Sequence, residues 1–217
     1  MEQRSLQGIV EHARASIGTH QAVASLTDVD GTQTIVGLSL SDKYAAYRTY
    51  NEKPRGTGIY SLVCRDNKPM RMTQEQIESH PAWQDFGLEK GRHPPMRGWL
   101  AVPIIGLDSR SIGILQLSDK YDGEFTGEDE TVLCELAELA AAVTERDRLV
   151  EAIRRTTHEF DNLLTVVTGF SELLLRQPNL TGTAQAFITE IKTAGDKATL
   201  LLLELCKSCG VQQPRRG

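Results

Sequence analysis

The feature that most constrains this chain is a proline-free helical pattern that begins at Gly127 and continues to Gln177. Thr126 can cap the first turn, and the carboxylate of Asp129 lies near the positive end of the helix dipole. A continuous helix of this length would span roughly 75 Å. Because such a helix does not pack inside one globular domain, the segment is predicted to connect domains and to pair with other helices.

Apolar residues recur along this pattern at alternating spacings of three and four, as in paired helices. In the first helix the predicted inward positions are Leu149, Ile153, Thr156, Phe160, Leu163, Val167, Phe170 and Leu174. Residues 178–182 then break the helix. In a second helix the inward positions are Ala184, Phe187, Ile191, Ala194, Ala198, Leu201 and Leu205. The two helices are therefore predicted to form an antiparallel hairpin.

The apolar stripe of this hairpin is wider than two helices can cover. The residues that flank the predicted seam are also apolar, namely Leu164, Leu173, Ile188 and Leu202. Pairing two hairpins into a four-helix bundle would bury the remaining surface. The expected assembly is a symmetric homodimer.

His158 takes a heptad position that points away from the predicted seam and into water. Most single histidines on helices are surface residues without a role, but here Glu159 adjoins the imidazole and Asn162 follows one turn later. A carboxylate beside an exposed imidazole can hold one tautomer, which leaves the other ring nitrogen free as a nucleophile. It can also accept a proton during phosphoryl transfer, while the Asn162 amide can orient a water or a phosphoryl group.

Residues 158–165, His-Glu-Phe-Asp-Asn-Leu-Leu-Thr, resemble the phosphoacceptor box of sensor histidine kinases of the HisKA type. The resemblance covers about residues 151–213, and 211–215 is similar to the segment that leads into the ATP-binding domain of that family. It implies that His158 is phosphorylated, that Glu159 is its general base, and that Asn162 assists dephosphorylation of a response regulator. Asp161 departs from the family subgroup, which has Asn there, so partner preference stays open.

Before residue 122 the pattern is mixed rather than helical. Short β-rich runs predict extended segments at 20–27, 34–40, 69–72, 98–105 and 111–117. Asp30-Gly31 is a hairpin turn signal between the first two of these runs. Helices are predicted at 5–17 and near 58–64, and a polar loop with one helical turn at 73–95. An antiparallel sheet flanked by helices defines an α+β fold.

Three segments of this region, 98–103, 113–121 and 125–130, resemble GAF domains, and the resemblance extends over about residues 5–145. Four of the five signature positions of cyclic-nucleotide-binding members are matched, with Asp119 in place of Asn. That signature is expected to be structural here, with a Lys120–Asp129 ion pair bracing the last strand against the helix. The resemblance implies an unknown small-molecule ligand. Cys64 lacks the surroundings of a bilin-attachment cysteine and is expected to lie in the core.

Composition narrows the classes of function. A net charge of −5 argues against a general nucleic-acid binder, which needs a basic surface. No run approaches the roughly 18 apolar residues of a membrane span, and the N-terminus lacks the apolar core of a signal peptide, which predicts a cytoplasmic location. Cys206 and Cys209 form a single CxxC pair, and because a tetrahedral zinc site needs two more ligands, no metal site is expected.

The chain is thus predicted to comprise a GAF-like sensor domain at 1–145, a dimerisation and histidine phosphoacceptor hairpin at 146–210, and a tail at 211–217. The expected function is two-component signal transduction. The hairpin would take a phosphoryl group from ATP through a catalytic domain acting in cis or in trans, and pass it to an aspartate of a response-regulator receiver domain.

Neither a P-loop nor the Asn-rich magnesium box of the family's catalytic domain is present, so ATP and magnesium are not expected to bind this chain. The chain alone is therefore not expected to autophosphorylate. Whether it is a fragment of a longer kinase or a protein phosphorylated in trans stays open. The alternative is a non-enzymatic GAF dimer that binds a ligand or acts as a scaffold without phosphotransfer.

Overall fold

The computed structural model describes residues 2–28, 32–49, 58–86 and 92–210. The chain divides into two compact units between Glu145 and Arg146. The predicted turn at Asp30-Gly31 and the segment 211–217, including its predicted similarity to a kinase linker, lie outside the described residues.

The first unit is built on a five-stranded sheet with the strand order β2-β1-β5-β4-β3, in which all neighbours pair antiparallel. The strands are β1 (Thr19–Thr27), β2 (Gln33–Leu40), β3 (Met70–Met72), β4 (Trp99–Ile105) and β5 (Ser111–Lys120). The helices are α1 (Glu2–Ile17), a 3-10 helix (Asp42–Tyr47), α2 (Ile59–Asp66), α3 (Gln74–Ser79) and the beginning of α4 (Gly127–Leu175). The predicted α+β fold, an antiparallel sheet with flanking helices, is confirmed.

One helix of this unit was not predicted, and the helical turn predicted within 73–95 is present as a short helix. The 3-10 helix after β2 carries no strong pattern and was not predicted. The polar loop at 73–95 contains the six-residue helix α3. A capping box explains its start, since Thr73 Oγ1 accepts a hydrogen bond from the backbone N–H of Gln76 and Gln76 Oε1 accepts one from that of Thr73.

Side chains of the sheet alternate between two hydrophobic clusters. Leu115 and Leu117 of β5 join the cluster that contains α1 and the first turns of α4, including Leu133. Ile114, which lies next to Leu115 in sequence, joins the other cluster, with Val63 of α2. The sheet is therefore covered by α1 and α4 on one face and by α2 on the other.

The second unit consists of the part of α4 that follows Glu145 and of helix α5 (Gly182–Ser208). The two helices run antiparallel. Thr168 lies against Gly195, where an added Cβ would be only 2.7 Å from Thr168 Cγ2, and Lys192 Nζ lies 3.4 Å from Glu172 Oε1. The predicted helical hairpin is present. Within the described parts of the chain, no helix has the length and hydropathy of a membrane span.

The seam between α4 and α5 is not the one that the heptad pattern predicts. The buried residues of the hairpin are small or polar, namely Thr157, Ser171, Gly195 and Cys206. Three of the four residues predicted to flank the seam are half-buried instead of peripheral: Leu164, Ile188 and Leu202.

Most of the predicted inward positions are exposed in the single chain. Phe160, Leu163 and Phe170 are 51%, 63% and 62% exposed, and Phe187 and Leu201 are 62% and 66% exposed. The physical reason is that small residues such as Gly195 let two helices approach closely. A heptad pattern marks an apolar stripe but does not specify which neighbour covers it.

Candidate functional site

His158 lies within the hairpin part of α4, and its imidazole is exposed to solvent. The preceding residue, Thr157, is buried in the hairpin. Because successive side chains of an α-helix are about 100° apart, His158 lies roughly 140° around α4 from the exposed Leu163. The imidazole is therefore on the side of the helix that faces away from the apolar stripe.

Glu159 and Asn162 are exposed as well. Asn162 lies one turn after His158, at a spacing that brings Cβ atoms within about 6 Å. Among the described residues, no hydrogen bond joins Glu159 or Asn162 to His158. The helix thus places a nucleophilic ring, a carboxylate and an amide at exposed positions within about one turn of one another.

Most exposed apolar residues of the two helices form one surface, which we call the apolar face. Val166, Leu173 and Leu200 are also exposed but lie elsewhere around the helices. On each helix this stripe lies roughly 100° from the buried seam, in the same rotational sense along the chain. In an antiparallel pair the two stripes then point to the same side of the hairpin. The apolar face comprises Leu149, Phe160, Leu163, Val167, Phe170, Leu174, Phe187, Ile191, Leu201 and Leu205. His158 is on the opposite side.

A second candidate site lies in the first unit, on the sheet face that α2 covers. Gln33 Nε2 donates a hydrogen bond to Cys64 Sγ at 3.5 Å, but the Gln33 Oε1 atom is buried without a partner in the described structure. Ser25, which is fully buried, also has an unpartnered hydroxyl. Since Thr27 pairs with Gln33, Ser25 is the diagonal neighbour of Gln33 on the same face.

Unpartnered buried polar atoms cost about 1–3 kcal/mol each, so two of them on diagonal positions of one sheet face make this region a candidate for binding a water or a polar group of a ligand. Sequence reasoning missed Ser25 and Gln33, because only the pairing of β1 with β2 brings them together. Cys64 is half-buried and packs against the cluster under α2, and burial raises the pKa of its thiol. This agrees with the expected core position and disfavours a nucleophilic thiolate.

Other polar side chains on the sheet hold the loop before β4. Gln21 Nε2 donates to the Pro95 carbonyl at 2.6 Å, and Ser118 Oγ donates to the Gly98 carbonyl at 2.8 Å. Trp99 Nε1 donates to Gln116 Oε1 at 3.0 Å. The first two hydrogen bonds position the loop and the third joins β4 to β5. All these groups are already hydrogen-bonded within the protein, so they offer no vacant ligand contacts.

The signature residues at the end of β5 form structural ion pairs. Lys120 Nζ lies 2.5 Å from Asp129 Oδ2, which confirms the predicted brace, and the same carboxylate oxygen accepts a hydrogen bond from the backbone N–H of Thr126. Burial opposes ionisation of Asp129, but these hydrogen bonds outweigh it and lower the pKa of the carboxyl group. The pair therefore joins β5 to the start of α4.

Asp119, the residue that replaces Asn in the signature, also has a structural role. It adopts a positive φ of 59°, and its Oδ2 atom accepts hydrogen bonds from Lys43 and from the Tyr44 hydroxyl. Burial opposes ionisation here too, but both donors lower the pKa of Asp119. Burial and the Asp119 hydrogen bond raise the pKa of Tyr44 to about 12. This network fixes the 3-10 helix to the end of β5. No sequence motif predicted the network.

In the described ranges, no three His, Cys, Asp or Glu side chains are arranged so that they could hold one metal ion. The structure thus separates two kinds of chemistry. The exposed His158, Glu159 and Asn162 lie on the hairpin, and the buried, partly unpartnered Ser25 and Gln33 lie inside the first unit.

Solved structures similar to this chain share the fold of its first unit. The GAF domain of a phosphoenolpyruvate-protein phosphotransferase from Coxiella burnetii is 22% identical, with a TM-score of 0.56 over 70% of this chain and 86% of that one. Residues 122 to 287 of a methyl-accepting chemotaxis protein are 15% identical, with a TM-score of 0.58 over 70% and 93%. A type II free methionine-R-sulfoxide reductase from Thermoplasma acidophilum is 16% identical, with a TM-score of 0.51 over 65% and 91%.

Similarity at these identities shows a shared fold and does not transfer an activity. The family model for the GAF domain matches residues 2–143, which is most of the chain, and the match ends before the hairpin. GAF domains are a sensor and ligand-binding fold of signalling proteins. The chain belongs to the GAF domain family.

Proposed function

We propose that this chain is the sensory and phosphoacceptor part of a two-component signalling kinase. In this proposal the GAF domain binds a small-molecule signal, and His158 accepts a phosphoryl group from ATP through a separate ATP-binding domain. His158 then passes the group to an aspartate of a response-regulator receiver domain. The observation that carries the proposal is an exposed imidazole on the side of a helical hairpin opposite the apolar face, with an exposed carboxylate and an exposed amide within about one helical turn.

The chemistry needs only a few groups from this chain. One imidazole nitrogen of His158 attacks the γ-phosphorus of ATP, and the bond from that phosphorus to the bridging oxygen breaks, which releases ADP. The proton on the other ring nitrogen passes to Glu159, which acts as the general base. In the dephosphorylation of the response regulator, Asn162 orients the water that hydrolyses the aspartyl phosphate of the receiver domain.

A second copy of the chain covers the apolar face in this proposal. Monomeric proteins rarely expose a continuous apolar patch of this extent. Because His158 is on the opposite side of the hairpin, a four-helix bundle formed through the apolar face leaves both imidazoles in solvent. Dimerisation and access to an ATP-binding domain are therefore compatible.

Phosphorylation in trans tests the proposal. The purified chain is incubated with the isolated ATP-binding domain of a HisKA-type kinase, magnesium and γ-labelled ATP. The expected result is an acid-labile, alkali-stable label that is lost in His158→Gln. His12→Gln, which changes an exposed histidine of α1, is the matched control and keeps the label.

The rival function is a ligand-binding or scaffolding GAF dimer without phosphotransfer. The unpartnered Ser25 and Gln33 atoms support ligand binding by the GAF domain in both functions. The rival function predicts no label in any variant. A label that persists in His158→Gln would also contradict our proposal. Native mass spectrometry of the purified chain then reports the stoichiometry and any retained small molecule together.

A further inference from the structure

The C-terminal turn of α5 carries two free cysteines, Cys206 and Cys209, three residues apart. Cys206 is 1% exposed and lies in the hairpin seam, whereas Cys209 is partly exposed at the C-cap. Neither thiol has a role in the proposed phosphotransfer. We infer that this pair is a thiol–disulfide modification site, which takes up oxidising equivalents from a small disulfide such as oxidised glutathione.

The register of the hairpin places this pair beside the phosphoacceptor segment. Thr168 of α4 lies against Gly195 of α5. Moving 11 residues back along α4 (168 − 11) and 11 forward along α5 (195 + 11) brings Thr157 opposite Cys206. Both of these residues are buried, as this register requires. Cys206 therefore packs in the seam at the level of Thr157, in the turn of α4 that also carries His158.

The spacing of the two cysteines suits a disulfide at a helix end. Residues three apart on a helix have Cβ atoms about 5–6 Å apart, and a disulfide needs about 3.5–4.5 Å. The approach of roughly 1–2 Å falls on the last turn. Only two backbone hydrogen bonds hold this turn beyond Ser208 in the described structure, from Cys209 to Leu205 and from Gly210 to Lys207. A short rearrangement of this turn is sufficient.

The reaction is thiol–disulfide exchange in two steps. The thiolate of Cys209, the more accessible sulfur, attacks oxidised glutathione and displaces one glutathione thiolate, which gives a mixed disulfide. The Cys206 thiolate then attacks the Cys209 sulfur and displaces the second glutathione. Two protein thiols and one oxidised glutathione become one protein disulfide and two reduced glutathiones, so atoms and electrons balance.

The disulfide draws the Cys206 sulfur out of the seam towards Cys209. The packing behind Thr157 is then lost, and the turn of α4 that carries His158 loosens. Oxidation would thus act on the phosphoacceptor segment without touching His158 itself. Only this last step, the effect on phosphoryl transfer, rests on the proposed function.

The test places the purified chain in glutathione buffers of increasing oxidised fraction, followed by alkylation and intact-mass measurement. Of the four cysteines, two are expected to lose their alkylation together, with no glutathione retained. Cys64→Ser combined with Cys134→Ser is expected to behave like the natural chain, and Cys209→Ser to form no intramolecular disulfide. Cys206→Ser serves as a second variant, since replacing a buried thiol can disturb the seam.

Hydrogen exchange of the peptide around 154–160 provides the readout of loosening. We expect exchange about tenfold faster in the oxidised chain and no change in Cys209→Ser. Retention of all four thiols, a stable glutathione adduct on Cys209, or unchanged exchange would each overturn the inference. If the disulfide and the loosening are both found, but His158 of the chain with reduced cysteines never takes up a phosphoryl group, the proposed function fails and the modification site stands.

Discussion

The two units of this chain use their large hydrophobic residues in opposite ways. In the GAF unit, residues such as Trp99, Leu115 and Leu117 are almost completely buried between the sheet and its helices. In the hairpin, Phe160 and Phe170 are more than half exposed, while Thr157, Ser171 and Gly195 occupy the interior. One unit has a closed core within a single chain, and the other displays the residues that would normally form one.

This difference in burial indicates where each unit obtains its stability. Burial of apolar area is the main favourable term in folding, at about 25 cal/mol per Å². The GAF unit obtains this term from its own chain. In the hairpin, most of the apolar area stays exposed and contributes no such stabilisation until another surface covers the apolar face. We therefore expect the GAF unit to be insensitive to protein concentration, and the hairpin to depend on association.

The largest expected effect follows from a charge on the apolar face. Leu163→Asp would bury a carboxylate from each chain in the proposed dimer, at a cost of several kcal/mol. The dissociation constant is expected to rise on the order of 10³-fold, which corresponds to about 4 kcal/mol. Sedimentation equilibrium over a range of concentrations measures it.

Thr165→Asp is the matched control for this prediction, because it adds the same charge two residues away at an exposed position. It lies roughly 160° around α4 from Leu163 and is expected to leave dissociation nearly unchanged. Equal dissociation constants for the two variants would show that the apolar face is not the dimer contact. A partner other than a second copy of this chain would then have to cover the apolar face of the hairpin.

A smaller effect is expected from truncating the closed core of the GAF unit. Leu115→Ala leaves a cavity in a fully buried position and should lower the free energy of unfolding by about 3 kcal/mol. Urea unfolding followed by tryptophan fluorescence measures it selectively, because both tryptophans, Trp83 and Trp99, belong to the first unit.

Leu107→Ala removes the same atoms from a site that is 81% exposed and should change stability by less than about 0.5 kcal/mol. The destabilisation of Leu115→Ala should also be independent of protein concentration. A midpoint that moved with concentration would contradict the view that the GAF unit is complete within one chain.

The sequence predicted the positions of helices and strands better than it predicted which residues contact one another. Short β-rich runs located the strands to within a few residues, because β-branched and aromatic residues favour extended backbone and are bounded here by turn residues. The heptad pattern likewise located both helices of the hairpin. It assigned the seam wrongly, since a stripe that includes Phe160 and Phe170 suits an intermolecular contact as well as an intramolecular one.

Contacts between distant segments explain what else was missed. The unpartnered Ser25 and Gln33 atoms depend on strand register, and the Lys43–Asp119 pair depends on a 3-10 helix that has no periodic signal. By contrast, the Lys120–Asp129 pair was predictable because its two partners flank one turn. The phosphoacceptor roles of His158, Glu159 and Asn162 stay predictions, since exposure alone does not establish chemistry.

The smallest effect concerns the electrostatic part of the GAF unit and is expected to depend on pH. The folded pKa of Asp129 is below its ordinary value of 3.8, so the ion pair with Lys120 contributes stability above that value. The contribution is lost as the pH falls from the ordinary value through the folded pKa, because over this range the unfolded carboxyl binds more protons than the folded one. Lys120→Met should therefore lower the free energy of unfolding by about 1 kcal/mol at pH 7 and by progressively less below pH 3.8.

Arg65→Met, which removes an exposed ion pair with Asp66, is the control and should have no measurable effect on stability at pH 7 or below pH 3.8. If the Lys120→Met effect were constant with pH, lost packing of the lysine stem would explain it instead, and the Lys120–Asp129 ion pair would contribute nothing to the stability of the GAF unit.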